Sequence, residues 1–274
     1  MQTMVPGSTA FAGIFQVQPG HVVKVQRQGG LLRTSGHKYW DLDFPKTDER
    51  DPAIGEEEHI KAIRSSLLEA IEMRLVADVP VGCYLSGGID SCSILGLAAA
   101  VNQTPIKAFT IGFDDSRYDE TDIAREMAEV TDAEQDVMRL SGDDLYDHFE
   151  TTLWHTERTI YNTLGVAKYL MSRHVRHVNY KVVLTGEGSD ELFAGYPAFR
   201  RDMFLHGSDG GDGDQRQKRL DQANALVTGA MLAAKPVEDP HLTAAVGFTP
   251  SCLQPWLACA PLVPGLLLRI AAKR

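Results

Sequence analysis

A glycine-rich loop that follows a short apolar run is the feature that most constrains the fold of this chain. The apolar run Val81–Leu85 leads into the loop Ser86–Ser91, whose sequence is SGGIDS, and small apolar residues follow from Cys92 to Ala100. This order predicts a buried strand, a tight turn and a helix, with free N–H groups and serine hydroxyls at the helix N-terminus. Such a turn binds phosphate or pyrophosphate.

Two glycines and one carboxylate give this loop its chemistry. A phosphate must come close to the loop backbone, and a Cβ at Gly87 or Gly88 would block the approach or the dihedral angles. Asp90 adds a carboxylate beside the expected anion, and the two repel unless a cation lies between them, so Asp90 is a candidate Mg²⁺ ligand. The alternative is a glycine-rich turn in which Asp90 or Ser91 only caps the next helix.

A second polar segment follows a second apolar strand. Residues Thr185–Glu191 read TGEGSDE and contain three carboxylates, two glycines and two hydroxyls. Since ligands of parallel sheets bind beyond the carboxyl ends of the strands, we expect this segment and the first loop to open onto one edge. Asp90 and Asp190 would then jointly hold one Mg²⁺, and Glu187 would contact a second substrate or transfer a proton. The alternative is an acidic helix start whose carboxylates complement the helix dipole.

Strands alternate with helices between residues 56 and 185, and the strands are apolar on both faces. We therefore predict an α/β fold with a parallel twisted sheet and helices on both of its faces. Ahead of it, Phe11–Lys24 is predicted as two short β segments around the Pro19-Gly20 turn, Gly29–Asp43 as strand and loop, and 47–55 as a linker. The main elements predicted are a helix over Glu56–Leu75, strand Val81–Leu85, helix Ser91–Ala100, strand Lys107–Phe113, helix Glu120–Val130, strand Glu134–Leu140, helices Gly142–Leu153 and Val166–Val175, and strand Lys181–Thr185.

Composition excludes several classes of protein. The 274 residues are 43% apolar and 23% charged, which is typical of a soluble globular protein. The formal net charge is -10 and no dense Lys/Arg stripe is present, which argues against a nucleic-acid partner. The start of the chain has no secretory signal pattern, and prolines interrupt the apolar stretch Leu253–Ile270, so we expect a cytoplasmic protein with no membrane span.

The motifs together resemble the synthetase domain of glutamine-hydrolysing asparagine synthetase, one of the N-type ATP pyrophosphatases. The loop Ser86–Ser91 resembles the pyrophosphate loop of that group. Residues 108–113 (AFTIGF), 118–120 (YDE), 169–173 (YLMSR) and 185–196 (TGEGSDELFAGY) are similar to asparagine synthetase in particular. Upstream, residues 13–21 and 39–44 look like the last strands of the family's glutaminase domain and the linker that follows it.

The resemblance implies a fold of the PP-loop type, like the adenine nucleotide alpha hydrolases, and a reaction in two steps. ATP and aspartate would give β-aspartyl-AMP and pyrophosphate, and ammonia would then release asparagine and AMP. The ligands implied are ATP, Mg²⁺, aspartate and ammonia.

The resemblance also implies a role for each candidate site residue: pyrophosphate binding by Ser86, Gly87, Gly88, Asp90 and Ser91; adenine and ribose contacts by Leu85, Ile111 and Gly186, with Thr185 also at the ATP site; Mg²⁺ binding by Asp90 and Asp190; and contact with the aspartyl-adenylate and ammonia by Glu187.

The resemblance also implies three parts of the chain. Residues 1–46 would be a remnant of the glutaminase domain with its linker, 47–205 the ATP-pyrophosphatase synthetase domain, and 206–274 an incomplete helical part of that domain. The family's glutaminase uses a cysteine at the mature N-terminus, and position 2 here is Gln2. We therefore expect a chain truncated at both ends that depends on ammonia. An inactive ATP-binding fragment and a ligase like the β-lactam synthetases stay open as alternatives, and so does a homodimer.

Overall fold

The strands among the described residues form two separate sheets in the computed structural model. Two strands, β1 (His21–Gln28) and β2 (Leu31–Lys38), pair as an antiparallel hairpin. The other four form a parallel sheet in the order β5-β4-β3-β6. Their bounds are β3 Val81–Tyr84, β4 Lys107–Phe113, β5 Glu134–Leu140 and β6 Val182–Leu184.

The structure describes residues 7–43, 54–160, 162–196 and 239–247, together with Glu49, Phe199 and Gln215. The chain divides into two units, Met1–Gly186 and Glu187–Arg274. The helices in the described residues are α1 (Glu56–Leu75), α2 (Ile89–Val101), α3 (Thr121–Val130), α4 (Gly142–Asp147), α5 (Phe149–Thr156), α6 (Leu164–His177), α7 (Ser189–Phe193) and α8 (Pro240–Val246). The last two belong to the second unit.

Helices cover both faces of the parallel sheet, as the sequence predicts. On one face Cys83 and Ala108 pack with Leu95 of α2 and Ala124 of α3 in one buried cluster, and Ile71 of α1 joins it. On the other face the strand residues pack against α6. The members of that second layer include Phe109 with Met171 and Val175, and Leu140 with Val166, Ala167 and Leu170. Ala108 and Phe109 are neighbours in β4 and face opposite layers, because successive strand side chains alternate.

The order of the strands fixes where a ligand can bind. From β3 the chain moves outward to β4 and β5, and it then returns to the other side of β3 as β6. The loops after β3 and β6 therefore leave neighbouring strands at a point where the winding direction of the chain reverses. In open α/β sheets a crevice forms at this position, beyond the carboxyl ends of the strands.

The hairpin at the start of the chain differs from its prediction. No strand lies between residues 11 and 20, so the first of the two β segments predicted around Pro19-Gly20 is wrong, whereas the second, up to Lys24, is confirmed as the start of β1. Instead β1 begins at His21, and the turn is Gly29-Gly30, with φ of 56° and 82°. A two-residue hairpin turn of this kind needs positive φ at both central residues, which glycine adopts without strain. The strand predicted within Gly29–Asp43 is confirmed as β2.

The hairpin carries apolar side chains that the described chain does not bury. Val23, Val25 and Leu32 lie on one face by the strand pairing, together with Arg27 and Thr34, and the exposed fractions of the three apolar residues are 46%, 57% and 69%. None of the buried clusters includes a residue of β1 or β2. The predicted helix α1 is confirmed, but its apolar stripe is only half buried, because Ile60 and Ile63 are exposed and Ile71 is buried.

The helix predicted over Gly142–Leu153 is wrong as a single element, because two helices occupy this region. His148 separates α4 from α5 with φ of -99° and ψ of 6°, which lie outside the helical range. The ring Nδ1 of His148 is 2.9 Å from the carbonyl oxygen of Asp144, so the side chain contacts a carbonyl group of the preceding turn. A capping box between Ser141 and Asp144 fixes the start of α4.

Most of the second unit lies outside the described residues. The C-terminal helical part predicted over 206–274 falls largely there, and the predicted boundaries after residues 46 and 205 stay predictions. Among the described helices, none combines the length and the apolar character needed to cross a membrane.

We expect Gly82→Ala to destabilise the sheet by about 2 kcal/mol, the usual cost of overpacking a core. A Cβ at this position would lie 2.7 Å from Cε2 of Phe109 and 2.9 Å from the carbonyl oxygen of Lys107. Denaturant unfolding measures the loss, with Gly142→Ala as control because a Cβ there meets nothing within 4 Å. Equal unfolding free energies for the two variants would contradict this packing.

Candidate active site

The glycine-rich loop follows the end of β3 and lies at the carboxyl edge of the sheet. The N–H of Leu85 donates to the carbonyl oxygen of Phe109 at 2.9 Å, which extends the parallel pairing one residue beyond the strand. Leu85 is buried in the core, with 2% of the residue exposed. Its predicted contact with adenine or ribose stays a prediction.

Ser91 shapes the loop from the inside. Its Oγ accepts a hydrogen bond from the N–H of Ser86 at 3.1 Å and donates to the carbonyl oxygen of Gly88 at 3.0 Å. It also lies 3.1 Å from Oγ of Ser86. Ser91 is buried and Ser86 is exposed. The buried hydroxyl of Ser91 thus holds the turn closed, while Ser86 lies at the exposed side of the loop.

The two glycines of the loop are needed for different reasons. Gly87 has φ of +79°, and a Cβ there would lie 3.1 Å from Cβ of Ile123 and 3.2 Å from the carbonyl oxygen of Glu120. Both the dihedral angle and the packing against α3 therefore require glycine at 87. Gly88 has φ of -70°, which any residue adopts, so the dihedral part of the prediction holds for Gly87 only. At Gly88 the exposed backbone leaves room for a close approach by a ligand.

The first turn of α2 has the character of an anion site. Its N-cap is Gly88, and no side chain caps the helix, so the alternative in which Asp90 or Ser91 caps α2 does not hold. The first N–H groups of a helix have no acceptor within the helix, and the helix dipole makes this end positive. The partly buried Asp90 lies in this turn. A phosphate group bound at this turn would lie beside the Asp90 carboxylate, and a cation between the two would offset their repulsion.

The residue that follows Thr185 lies against this turn. A Cβ at Gly186 would be 2.8 Å from the carbonyl carbon and Cβ of Asp90, and 2.9 Å from the backbone nitrogen of Ser91. The absence of a side chain at 186 lets the two backbones pack together. Gly186 therefore lies against the glycine-rich loop Ser86–Ser91, as expected for two loops on one edge of the sheet.

Two other predicted site residues belong to the strands on either side of β3: one lies within β4 and the other directly follows β6. Ile111 is partly buried in β4, where it packs against the two clusters that involve α6. Thr185 is partly buried just after β6. Their proposed contacts with adenosine stay predictions.

The acidic segment of the second unit surrounds a tyrosine. The hydroxyl of Tyr196 donates to Oε1 of Glu191 at 2.9 Å. This hydrogen bond raises the pKa of Tyr196 to about 12, with smaller contributions from burial and from the charges of Glu191, Asp190 and Glu187. The local potential is therefore negative, as a cation site requires. Asp190 and Glu191 also lie in the first turn of α7, as the alternative of an acidic helix start predicts.

The proposed Mg²⁺ site depends on two carboxylates from different parts of the chain. Asp90 belongs to the unit Met1–Gly186, whereas Asp190 belongs to Glu187–Arg274, so their joint coordination stays a prediction. Within the residues that the structure describes, no group of three or more His, Cys, Asp and Glu side chains could hold a metal. Mg²⁺ at nucleotide sites commonly uses one or two carboxylates with substrate phosphates, and this donor set fits Asp90 and Asp190.

The packing of α3 against the glycine-rich loop Ser86–Ser91 was not predicted from the sequence. The first turn of α3 packs against Gly87 through the backbone of Glu120 and Ala124 and the side chain of Ile123. The signal was present in the sequence, because residues 118–120 form one of the motifs used for the resemblance. However, the spacing of these residues in the sequence does not predict that the turn contacts the loop Ser86–Ser91.

Comparisons with known proteins found a matching family model and similar sequences. The family model described as asparagine synthase matches residues 62–250. The amidase chyE of Penicillium rubens is 39% identical over 213 residues, covering 73% of this chain and 31% of that protein. Asparagine synthetase [glutamine-hydrolyzing] 1 of Bacillus subtilis is 28% identical over 200 residues, covering 72% of this chain and 30% of that protein. The chain thus spans about a third of the length of these curated relatives.

A similar solved structure is the NH3-dependent NAD synthetase from Campylobacter jejuni. It has a TM-score of 0.37 and 17% sequence identity, and the match covers 68% of this chain and 91% of that chain.

We expect Gly186→Ala to weaken the binding of Mg-ATP at least about tenfold, because a Cβ at 186 would push the β6 loop away from the first turn of α2. Isothermal titration measures the affinity. Gly165→Ala is the matched control, since its Cβ would meet Cγ2 of Ile160 at an ordinary 3.5 Å. An unchanged affinity in Gly186→Ala would show that the contact does not shape the nucleotide site.

Proposed function

Because the chain belongs to the asparagine synthase family, we propose that it is the ATP-using part of an enzyme that activates a carboxylate and joins it to ammonia. The substrate proposed first is aspartate, and the product is asparagine. The observation that carries the proposal is the uncapped first turn of α2, which packs against Gly186, while the loop ahead of it packs against α3 at Gly87.

The proposed reaction has two balanced steps. A β-carboxylate oxygen of aspartate attacks the α-phosphorus of ATP, and the bond from this phosphorus to the bridging oxygen breaks, releasing pyrophosphate. The nitrogen of ammonia then attacks the acyl carbon of β-aspartyl-AMP. AMP leaves, and the nitrogen loses a proton to give the amide of asparagine. Adenylation is needed because an unactivated carboxylate has no good leaving group.

The phosphate loop would act on the first step. Negative charge develops on the departing pyrophosphate, and preorganised N–H groups aimed at that position stabilise it without rearrangement. The N–H groups in the first turn of α2 and the hydroxyl of Ser86 have the required character. Asp90 and Asp190 are the proposed ligands of Mg²⁺, which when bound neutralises phosphate charge and orients the leaving group.

Glu187 is the proposed residue for the second step. Ammonia is protonated in water at neutral pH, so a carboxylate near the acyl carbon would bind ammonium and accept the proton that the nitrogen must lose before it attacks, and the proton lost after the attack would go to water or to the departing AMP. The side chain of Glu187 is exposed. Glutamine-derived ammonia would need a glutaminase part, and the proposal for this chain is ammonia supplied from solution.

A second candidate is amide chemistry on an acid other than aspartate. The 39% identity with the amidase of Penicillium rubens exceeds the 28% identity with the Bacillus asparagine synthetase. The adenylation step and the phosphate loop would be the same, and the acid that binds beside them would differ. A non-catalytic fragment that only binds ATP is the remaining alternative.

We expect the protein to release pyrophosphate from Mg-ATP when aspartate and ammonium are both present, and Asp90→Ala to abolish this release. A coupled phosphate assay with inorganic pyrophosphatase measures it, and chromatography identifies AMP and asparagine. Release with other carboxylic acids, but not with aspartate, would favour the second candidate. Mg-ATP binding without release for any acid tested would remove the enzymatic proposal.

We expect Asp190→Ala and Glu187→Ala to act on different steps. Asp190→Ala should weaken Mg-ATP binding, because it removes a proposed metal ligand. Glu187→Ala should bind Mg-ATP almost normally and lose turnover, because it acts after adenylation. Titration calorimetry and steady-state kinetics separate the two effects. Equal losses of nucleotide affinity in the two variants would overturn this division of roles.

A further inference from the structure

We propose that Arg139 and Asp119 are positioning residues that hold the phosphate loop in its binding shape through the first turn of α3. The inference rests on the proposed function to the extent that the loop is taken to bind ATP. Neither residue is proposed to touch the nucleotide. Their effect is transmitted by packing, from β5 across β4 to the loop that follows β3.

The first step is an ion pair at the carboxyl end of the sheet. Arg139 lies near the end of β5, directly opposite Gly112 of β4 in the strand register. A Cβ at Gly112 would be 3.1 Å from Cδ and Nε of Arg139. The side chain of Arg139 therefore crosses β4 over a residue that has no side chain. Its Nη1 then donates to Oδ2 of Asp119 at 3.0 Å.

The second step fixes the start of α3. The other carboxylate oxygen of Asp119, Oδ1, accepts a hydrogen bond from the N–H of Thr121 at 3.3 Å. Thr121 is the first residue of α3 and is buried. Its Cγ2 also lies 3.1 Å from the position of a Cβ on Gly112. The carboxylate thus joins β5 to the helix start, while Gly112 leaves room for both partners.

The charge state of the pair favours this role. Burial raises the pKa of the Asp119 carboxyl, but hydrogen bonds with Thr121 and Arg139 together lower it by more, so the net shift is downward. The carboxylate is therefore ionised at neutral pH. Its side chain is 19% exposed, whereas that of Arg139 is 57% exposed.

The third step connects α3 to the loop. The hydrogen bond from the N–H of Ala124 to the carbonyl oxygen of Glu120 closes the first turn of α3 at 3.1 Å. Both of these atoms lie within 3.3 Å of the place where Gly87 would carry a Cβ, and Cβ of Ile123 is 3.1 Å from it. A shift of this turn would therefore move Gly87, whose φ of +79° lies in the left-handed region that favours glycine.

The test uses Arg139→Gln, with Arg125→Gln as the matched control. Arg125 also makes an exposed ion pair, to Asp122 at 2.9 Å, but this pair lies within α3 and does not join it to the sheet. Exposed pairs of this kind contribute little to global stability, so both variants should fold. Thermal unfolding checks that they do.

We expect Arg139→Gln to speed amide hydrogen exchange at residues 86–89 and to raise the Kd of Mg-ATP roughly fivefold, as typical for coupling through packed elements. Exchange in β4 and α6 should not change, whereas a general structural defect would speed exchange there as well. Arg139→Lys should restore most of the protection, because a lysine retains the charge. Arg125→Gln should behave like the unmodified protein in both measurements.

The outcomes separate this inference from the proposed function. If exchange at residues 86–89 in Arg139→Gln equals that in Arg125→Gln, the positioning role is overturned. If exchange rises there while even the unmodified protein fails to bind Mg-ATP, the positioning role stands and the proposed function falls. Exchange without nucleotide is therefore measured first.

Discussion

The structure depends on a close approach of three backbone segments at the carboxyl ends of β3 and β6. The first turn of α2 contacts Gly186 on one side, and the loop ahead of it contacts the start of α3 through Gly87. Each approach works because one partner has no side chain. Helix N-termini leave N–H groups without acceptors, and this one begins at the carboxyl edge of the sheet, where the phosphate site is proposed.

Much of this arrangement could be predicted from the sequence, because the signals are local. The apolar runs and the Gly-Gly-x-Asp-Ser pattern gave the order of strands and helices from β3 to β6, and the structure confirms a parallel sheet covered on both faces. Parallel strands have both faces buried, so their sequences are recognisable without knowing their neighbours. The meeting of Gly186 with the loop also followed from a general rule about where parallel strands end.

The features that could not be predicted depend on contacts between distant segments. Nothing in the local sequence shows that Arg139 reaches Asp119, since this requires the pairing of β4 with β5 and an empty space above Gly112. The break at His148 is marked by backbone dihedral angles outside the helical range and by a ring nitrogen close to a carbonyl oxygen of the previous turn, while the apolar pattern of the sequence continues through it. In the hairpin, the Pro19-Gly20 pair was a plausible turn, but Gly29-Gly30 satisfies the dihedral requirement at both positions.

The exposed hairpin affects how this molecule unfolds. Strands β1 and β2 contribute no residue to the buried clusters, and a two-stranded hairpin by itself is at best marginally stable in water. The hairpin and the sheet should therefore melt as separate cooperative units, with the hairpin opening first. Unfolding curves would then depend on the probe. Trp40 beside the hairpin and Trp154 in α5 would report different midpoints, and a single transition temperature would not describe the whole chain.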